Sequence, residues 1–100
     1  MPEEVCDAFG SALLDAQYGD CPRTAHAFGE GLPPEIMKLV EDDDGNTYRA
    51  AYTVEFPEVV YVLDVFQKKS KSGKATPRPD KARVLARYHA ARMHYRDNYR

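Results

Sequence analysis

Three strand-like segments separated by very short connections constrain the fold of this chain more than any other feature. They cover residues 36–41, 47–56 and 59–66 and are rich in β-branched and aromatic residues. The connections are an Asp/Gly/Asn turn at 42–46 and a Pro-Glu pair at 57–58. Because a parallel crossover needs a dozen or more residues, these connections can only join antiparallel neighbours. The middle of the chain therefore predicts an antiparallel meander.

Side chains alternate between the two faces along each of these strands. In the second strand Tyr48 and Tyr52 point to one side, and Arg49 points to the other, more polar side. We therefore expect Arg49 on an open face of the sheet. The third strand is apolar on both faces apart from Asp64, which favours a central position in the sheet.

Amphipathic helices are predicted before and after the meander, over residues 2–18 and 80–98. The apolar face of the first helix carries Val5, Phe9, Leu13 and Ala16, and that of the second carries Val84, Tyr88, Ala91 and Tyr95. Arginines form stripes on the outer surface of the second helix. Residues 20–34 are rich in Gly, Pro and small residues and are interpreted as a loop to which we assign no chemistry.

The net charge of −2 hides a strong asymmetry along the chain. Residues 1–64 contain 14 acidic and 3 basic side chains, whereas residues 65–100 contain 11 basic and 2 acidic ones. A concentrated positive field attracts polyanions. Nucleic acid is therefore the expected partner of the C-terminal third, and a solvated basic helix beside a solvated acidic one remains the alternative.

The length of 100 residues predicts one domain spanning 1–100. The chain has no run of 18 apolar residues and begins with an acidic segment, so no membrane span or secretory signal is expected and the protein is predicted to be cytoplasmic. Cys6 and Cys21 fit no metal-binding spacing and are expected to be reduced. No cofactor or metal is predicted.

Three stretches are distinctive: PEEVCDAFGSALLDAQYG at 2–19, YRAAYTV at 48–54 and VVYVLDVFQKKSKSGKATP at 59–77. In these residues the chain resembles the phage-derived HigB-like toxins of the RelE/ParE superfamily. The resemblance implies a small α+β domain in which helices pack on one face of an antiparallel sheet. In RelE-like members the other face is a basic groove that takes mRNA in the ribosomal A site.

The function implied by the resemblance is that of a type II toxin, a ribosome-dependent mRNA endoribonuclease that inhibits translation. Its usual partner is a helix-turn-helix antitoxin of the HigA kind, encoded next to the toxin. RNA can be cut without a metal when the 2′-hydroxyl attacks the adjacent phosphate. This reaction requires a proton acceptor, a proton donor and stabilisation of the phosphorane.

The resemblance also implies which residues do this chemistry. Arg49 occupies the position of the superfamily's strand arginine, and its guanidinium suits two phosphate oxygens. Lys68 and Lys69 match the basic pair at the strand end, where one of them could also accept a proton because neighbouring cations disfavour its charged form.

Further along the chain, Lys71, Lys74 and Arg78 are expected to hold the RNA backbone. A solvated loop charge is the alternative for each lysine.

Relatives carry an N-terminal strand before the first helix, and here the helix opens at Pro2. No other segment shows strand character, so we expect an uncovered sheet edge at which the chain either forms a homodimer or binds its partner. The alternative is that the true start lies upstream of Met1. Two other functions remain open: a ParE-like inhibitor of DNA gyrase that cuts nothing, and an inactive remnant of such a toxin.

Overall fold

The computed structural model describes residues 2–22, 25–56, 59–68 and 76–99, with only the backbone described at residue 68. Its elements, in chain order, are α1 (Glu3–Gln17), β1 (Ala25–Ala27), β2 (Ile36–Asp43), β3 (Asn46–Thr53), β4 (Tyr61–Lys68) and α2 (Arg78–Tyr99). The four strands form one antiparallel sheet in the order β1-β2-β3-β4. The α+β class and the meander are thus confirmed.

Helix α1 forms where the three-and-four spacing of apolar residues predicts it. Glu3 and Glu4 lie in its first turn, where negative charge interacts favourably with the helix dipole. The chain leaves the helix at Gly19, whose φ of 89° favours glycine. Val5, Phe9 and Ala16 are buried against the sheet, as predicted, and Leu13 is partly buried.

The β2–β3 hairpin turns on only two residues, Asp44 and Gly45, so the strands extend further into the predicted turn. Both residues have positive φ, 50° and 81°, as a tight hairpin of this kind requires. The Thr47 hydroxyl donates a 2.8 Å hydrogen bond to Asp42 Oδ1 beside the turn. The resulting register pairs Leu39 with Ala50.

The two helices lie on opposite faces of the sheet. Tyr48, Ala50 and Tyr52 of β3 belong to the cluster that contains α1, whereas Ala51 belongs to the cluster that contains α2. The expectation that helices share one face is therefore corrected. Both faces of β3 are covered, since every residue of this strand from 48 to 53 is buried. Burial of the apolar side chains on each face stabilises this packing.

Strand β4 lies at the end of the sheet order. The central position predicted for this strand from its sequence is therefore wrong. Helix α2 covers one face of β4, where Leu63 is only 3% exposed. On the other face Val62 and Val65 are 49% and 40% exposed. The apolar character of both faces therefore does not require two neighbouring strands.

Asp64, the one acidic residue of this strand, fixes α2 to β4. Its buried carboxylate accepts hydrogen bonds from Arg83 Nε at 2.7 Å and from Arg87 Nη1 at 2.8 Å. Arg87 also donates to the Leu63 carbonyl oxygen at 3.1 Å. Two arginines of the predicted outer stripe are therefore turned towards the sheet and hold the helix.

A short strand lies inside the segment interpreted as loop. β1 pairs with β2 in the register Ala25 to Leu39 and Ala27 to Met37, and so covers three residues of the outer edge of β2. Three residues of Ala-His-Ala give no periodic signal, which is why sequence patterns missed it. Within the described residues the sheet ends at β1 on one side and at β4 on the other, and self-association through an open edge stays a prediction.

Replacing Phe9 with alanine should lower the free energy of unfolding by about 3 to 5 kcal/mol, because the ring is buried between α1 and the sheet. Leu14→Ala, on the 56% exposed side of the same helix, should change it by no more than about 0.5 kcal/mol. Urea unfolding followed by circular dichroism measures both. Equal losses would contradict the assigned buried face of α1.

Candidate functional site

Arg49 does not stand on an open face. The residue is 7% exposed, on the face of β3 that α2 covers, and the turn around Glu30 and the segment entering α2 lie over it. The expected open groove at this position is therefore corrected. The catalytic role predicted for Arg49 remains a prediction.

Arg49, Thr76 and Glu30 form one buried polar network that joins three distant parts of the chain. Arg49 Nη1 donates to Thr76 Oγ1 at 2.9 Å, and Thr76 Oγ1 donates to Glu30 Oε2 at 2.9 Å. The Thr76 N–H donates to the other carboxylate oxygen of Glu30. Arg49 Nη1 also lies 3.8 Å from Glu30 Oε2. The network balances the buried positive charge with a carboxylate.

Glu30 reaches this network from an unusual turn. Gly29, Glu30 and Gly31 have φ values of 69°, 54° and 83°. The left-handed region is easy for glycine but costs a residue with a Cβ roughly 1 to 2 kcal/mol. A single carboxylate between two glycines was the available sequence signal. It was missed because the partner, Thr76, is 46 residues away.

The surroundings of Glu30 favour its charged form. Burial alone raises the pKa of this carboxyl, but the hydrogen bonds from Thr76 and the positive charges of Lys38 and Arg49 outweigh it. The pKa of Glu30 is therefore held below its usual value of 4.5. At neutral pH the carboxylate is an acceptor only, which fits the two donors of Thr76.

Of the other residues predicted for the site, Lys68 and Arg78 have positions that the structure describes. Lys68 ends β4, where its backbone pairs in register with Thr47, two residues before Arg49. Lys69, Lys71 and Lys74 lie outside the described residues. Arg78 is exposed at the start of α2, two residues after Thr76. The structure thus brings Arg49 and both ends of the predicted basic segment to one part of the fold.

The sheet separates the two signs of charge. The exposed side of α1 carries acidic side chains such as Glu4 and Asp7, whereas the exposed side of α2 carries Arg78, Arg92 and Arg96. The asymmetry along the sequence has become an asymmetry between opposite surfaces. A polyanion would meet the α2 side of the molecule.

Neither helix is long and apolar enough to cross a membrane, in the part of the chain that the structure describes. Among those same residues, no three His, Cys, Asp or Glu side chains come together as a metal site. Cys6 and Cys21 are both exposed free thiols.

Comparison with known protein families finds a match over most of the chain. A family model described as phage-derived protein Gp49-like (DUF891) matches residues 1–89. No curated protein and no solved structure shows significant similarity to the chain.

Replacing Glu30 with glutamine should destabilise the protein at pH 7 by roughly 1 to 3 kcal/mol, since hydrogen bonds to a charged acceptor are lost. A lowered folded-state pKa stabilises the fold above the unfolded value of 4.5 and ceases to do so as the pH falls through the folded value. The difference between the parent and Glu30→Gln should therefore shrink below about pH 4.5.

Urea unfolding at a series of pH values measures this difference. The control is Glu35→Gln, which alters an exposed carboxylate in the same region. A parent and a Glu30→Gln variant that lose stability in parallel on acidification would show that the network does not depend on the charge of Glu30.

Proposed function

The chain belongs to the Gp49-like family of phage-derived proteins, a toxin-like family of the RelE/HigB kind, and we propose that it is the toxin of a type II toxin–antitoxin system. The observation that carries the proposal is the family match over residues 1–89, which includes the sheet and most of α2. The fold is consistent with this kind of toxin, because it is a small antiparallel sheet with two helices.

The activity proposed is ribosome-dependent cleavage of mRNA. The 2′-oxygen loses its proton to a base and bonds to phosphorus, and the 5′-oxygen leaves and takes up a proton. The products are a 2′,3′-cyclic phosphate and a free 5′-hydroxyl. Arg49, Lys68 and Lys69 are the proposed stabilisers of the phosphorane charge, with Lys71, Lys74 and Arg78 holding the RNA backbone.

The network around Arg49 supports its proposed role as a stabiliser of the phosphorane, because it holds the guanidinium in place. Fixed charges stabilise a transition state better than mobile ones, since they need no rearrangement when the reaction occurs. Glu30 and Thr76 hold the Arg49 guanidinium in one position. A phosphate that uses Arg49 must, however, compete with the carboxylate of Glu30.

The same competition favours a second candidate function. If Arg49 serves only to join Glu30 and Thr76, the chain has lost its main phosphate ligand in the sheet. It would then act as a ParE-like inhibitor of DNA gyrase that cleaves nothing, or it would be an inactive remnant. The burial of Arg49 is the observation that supports this alternative.

The proposed toxin acts in the cytoplasm on the ribosome and its mRNA. A HigA-like helix-turn-helix antitoxin is the proposed partner that holds it inactive. The basic surface of α2 suits an acidic segment of such a partner, because opposite charges guide association and fix orientation.

Induced expression should arrest translation and growth, and Arg49→Ala and Lys68→Ala should each relieve the arrest. Loss of one charged phosphate contact in the transition state should lower the cleavage rate by roughly 30- to 1000-fold. Primer extension on mRNA from induced cells measures the cleavage.

Glu30→Gln separates catalysis from structure in this experiment. If Arg49 is catalytic, Arg49→Ala should lose far more activity than Glu30→Gln at equal loss of stability. A folded Arg49→Ala variant that cleaves mRNA as fast as the parent would reject the catalytic role of Arg49. Arrest without mRNA cleavage by the parent protein would favour the gyrase inhibitor.

A helix-turn-helix protein encoded beside this gene should bind the chain and block its toxicity. Arg78→Glu, on the basic surface of α2, should weaken binding at least about tenfold, whereas Glu4→Lys on the opposite surface should leave it nearly unchanged. Titration calorimetry with the purified neighbour measures both. Equal effects of the two variants would contradict binding through the α2 surface.

A further inference from the structure

A cleft of about 520 Å³ opens between the segment that follows β3 and the C-terminal half of α2. Its walls include Glu55, Phe56, His89, Arg92, Tyr95 and Arg96. Arg92 lies about 20 Å along α2 from Arg78, because a helix rises 1.5 Å per residue. The cleft is therefore separate from the Arg49 network.

One wall of the cleft belongs to a fixed stack of aromatic rings. The rings of Phe56 and Tyr95 are stacked with centroids 4.8 Å apart, and Tyr95 stacks on Tyr99 at 5.2 Å. Tyr61 meets Phe56 edge to face at 5.6 Å. Its hydroxyl hydrogen-bonds His94 Nδ1 at 2.7 Å, which ties the stack to the helix. The wall is thus an aromatic surface whose rings contact one another.

Positive charge borders this wall. Arg92 and Arg96 are one helical turn apart, so their guanidinium groups project from the same side of α2. Both are exposed, and the Arg92 guanidinium lies 5.8 Å from the Tyr88 ring centroid. An aromatic surface beside arginines is the usual combination for binding unpaired nucleic-acid bases and their phosphates.

Glu55 supplies an acceptor in the same cleft. The Tyr88 hydroxyl donates a 2.6 Å hydrogen bond to Glu55 Oε1. Burial, together with this hydrogen bond, raises the pKa of Tyr88, so the hydroxyl keeps its proton and holds the carboxylate in place. A carboxylate has acceptor capacity beyond one bond and accepts well from the amino group of a base. It would repel an acidic peptide.

We propose that this cleft binds one unpaired base of a single-stranded RNA. The base packs against the Phe56 ring and the edge of the Tyr95 ring with its amino edge towards Glu55, and the adjoining phosphate contacts Arg92 and Arg96. Adenine, cytosine and guanine, which carry amino groups, are preferred over uracil. The inference rests on the proposed function for its choice of RNA, and it adds a substrate contact remote from Arg49.

Fluorescence anisotropy of labelled 2′-O-methyl pentanucleotides with the full chain tests this proposal. These probes cannot be cleaved, so the measurement does not depend on nuclease activity. The parent should bind oligo(A) at least about fivefold more tightly than oligo(U). Arg92→Gln should weaken oligo(A) binding at least about fivefold. Lys81→Gln removes one positive charge from the same helix away from the cleft and should change binding less than about twofold.

Two further variants test the ring wall and the acceptor. Tyr95→Leu should weaken oligo(A) binding by a similar factor, because it removes the ring that supports Phe56, with thermal unfolding as the check on its fold. Glu55→Gln should reduce the preference for oligo(A) over oligo(U).

Equal effects of Arg92→Gln and Lys81→Gln, or equal affinity for the two oligonucleotides, would overturn the proposal. So would failure of the parent to bind either probe. If the cleft binds as expected but Arg49→Ala and Lys68→Ala do not relieve arrest, the proposed catalytic roles fail and the base-binding cleft stands.

Discussion

Strand β3 is buried on both faces and paired on both edges, and the other elements are placed by the need to cover it. Ala50 and Ala51, adjacent in the strand, are both 0% exposed and face opposite helices. Their small side chains let α1 approach one face and α2 the other. A larger residue at either position would push a helix away from the sheet, because protein interiors have no spare volume.

This arrangement turns a charge asymmetry along the sequence into one across the molecule. The acidic helix and the basic helix are separated by the sheet, so a negatively charged partner approaches from the α2 side. Asp64 of β4 holds α2 on its face of the sheet, because its carboxylate accepts hydrogen bonds from Arg83 and Arg87. Those two arginines are occupied by the fold, and the exposed arginines further along α2 remain accessible for a ligand.

The Arg49 network joins the turn around Glu30 and the start of α2 to the sheet. Glu30 adopts a left-handed backbone conformation to reach Thr76, and Thr76 immediately follows the segment 69–75 that carries three of the predicted RNA-binding or catalytic lysines. The anchored Thr76 and the end of β4 are therefore the described residues on either side of that segment. A network of this kind is sensitive to the loss of any one member, because a buried partner is then left unsatisfied.

Local patterns of residues were enough to predict the two helices and the three-stranded meander. The spacing of Val5, Phe9 and Ala16 predicted α1 and its buried face, the spacing of Val84, Tyr88 and Ala91 predicted α2, and the short turns predicted the antiparallel order of β2, β3 and β4. These features depend on neighbours within a few residues, so they are visible as periodicity. Three other features became visible only in the folded chain: the helices lie on opposite faces, β4 lies at the edge of the sheet, and Arg49 meets Glu30 and Thr76. Each of these depends on contacts between residues far apart in the chain, and such contacts leave no periodic trace in a single sequence.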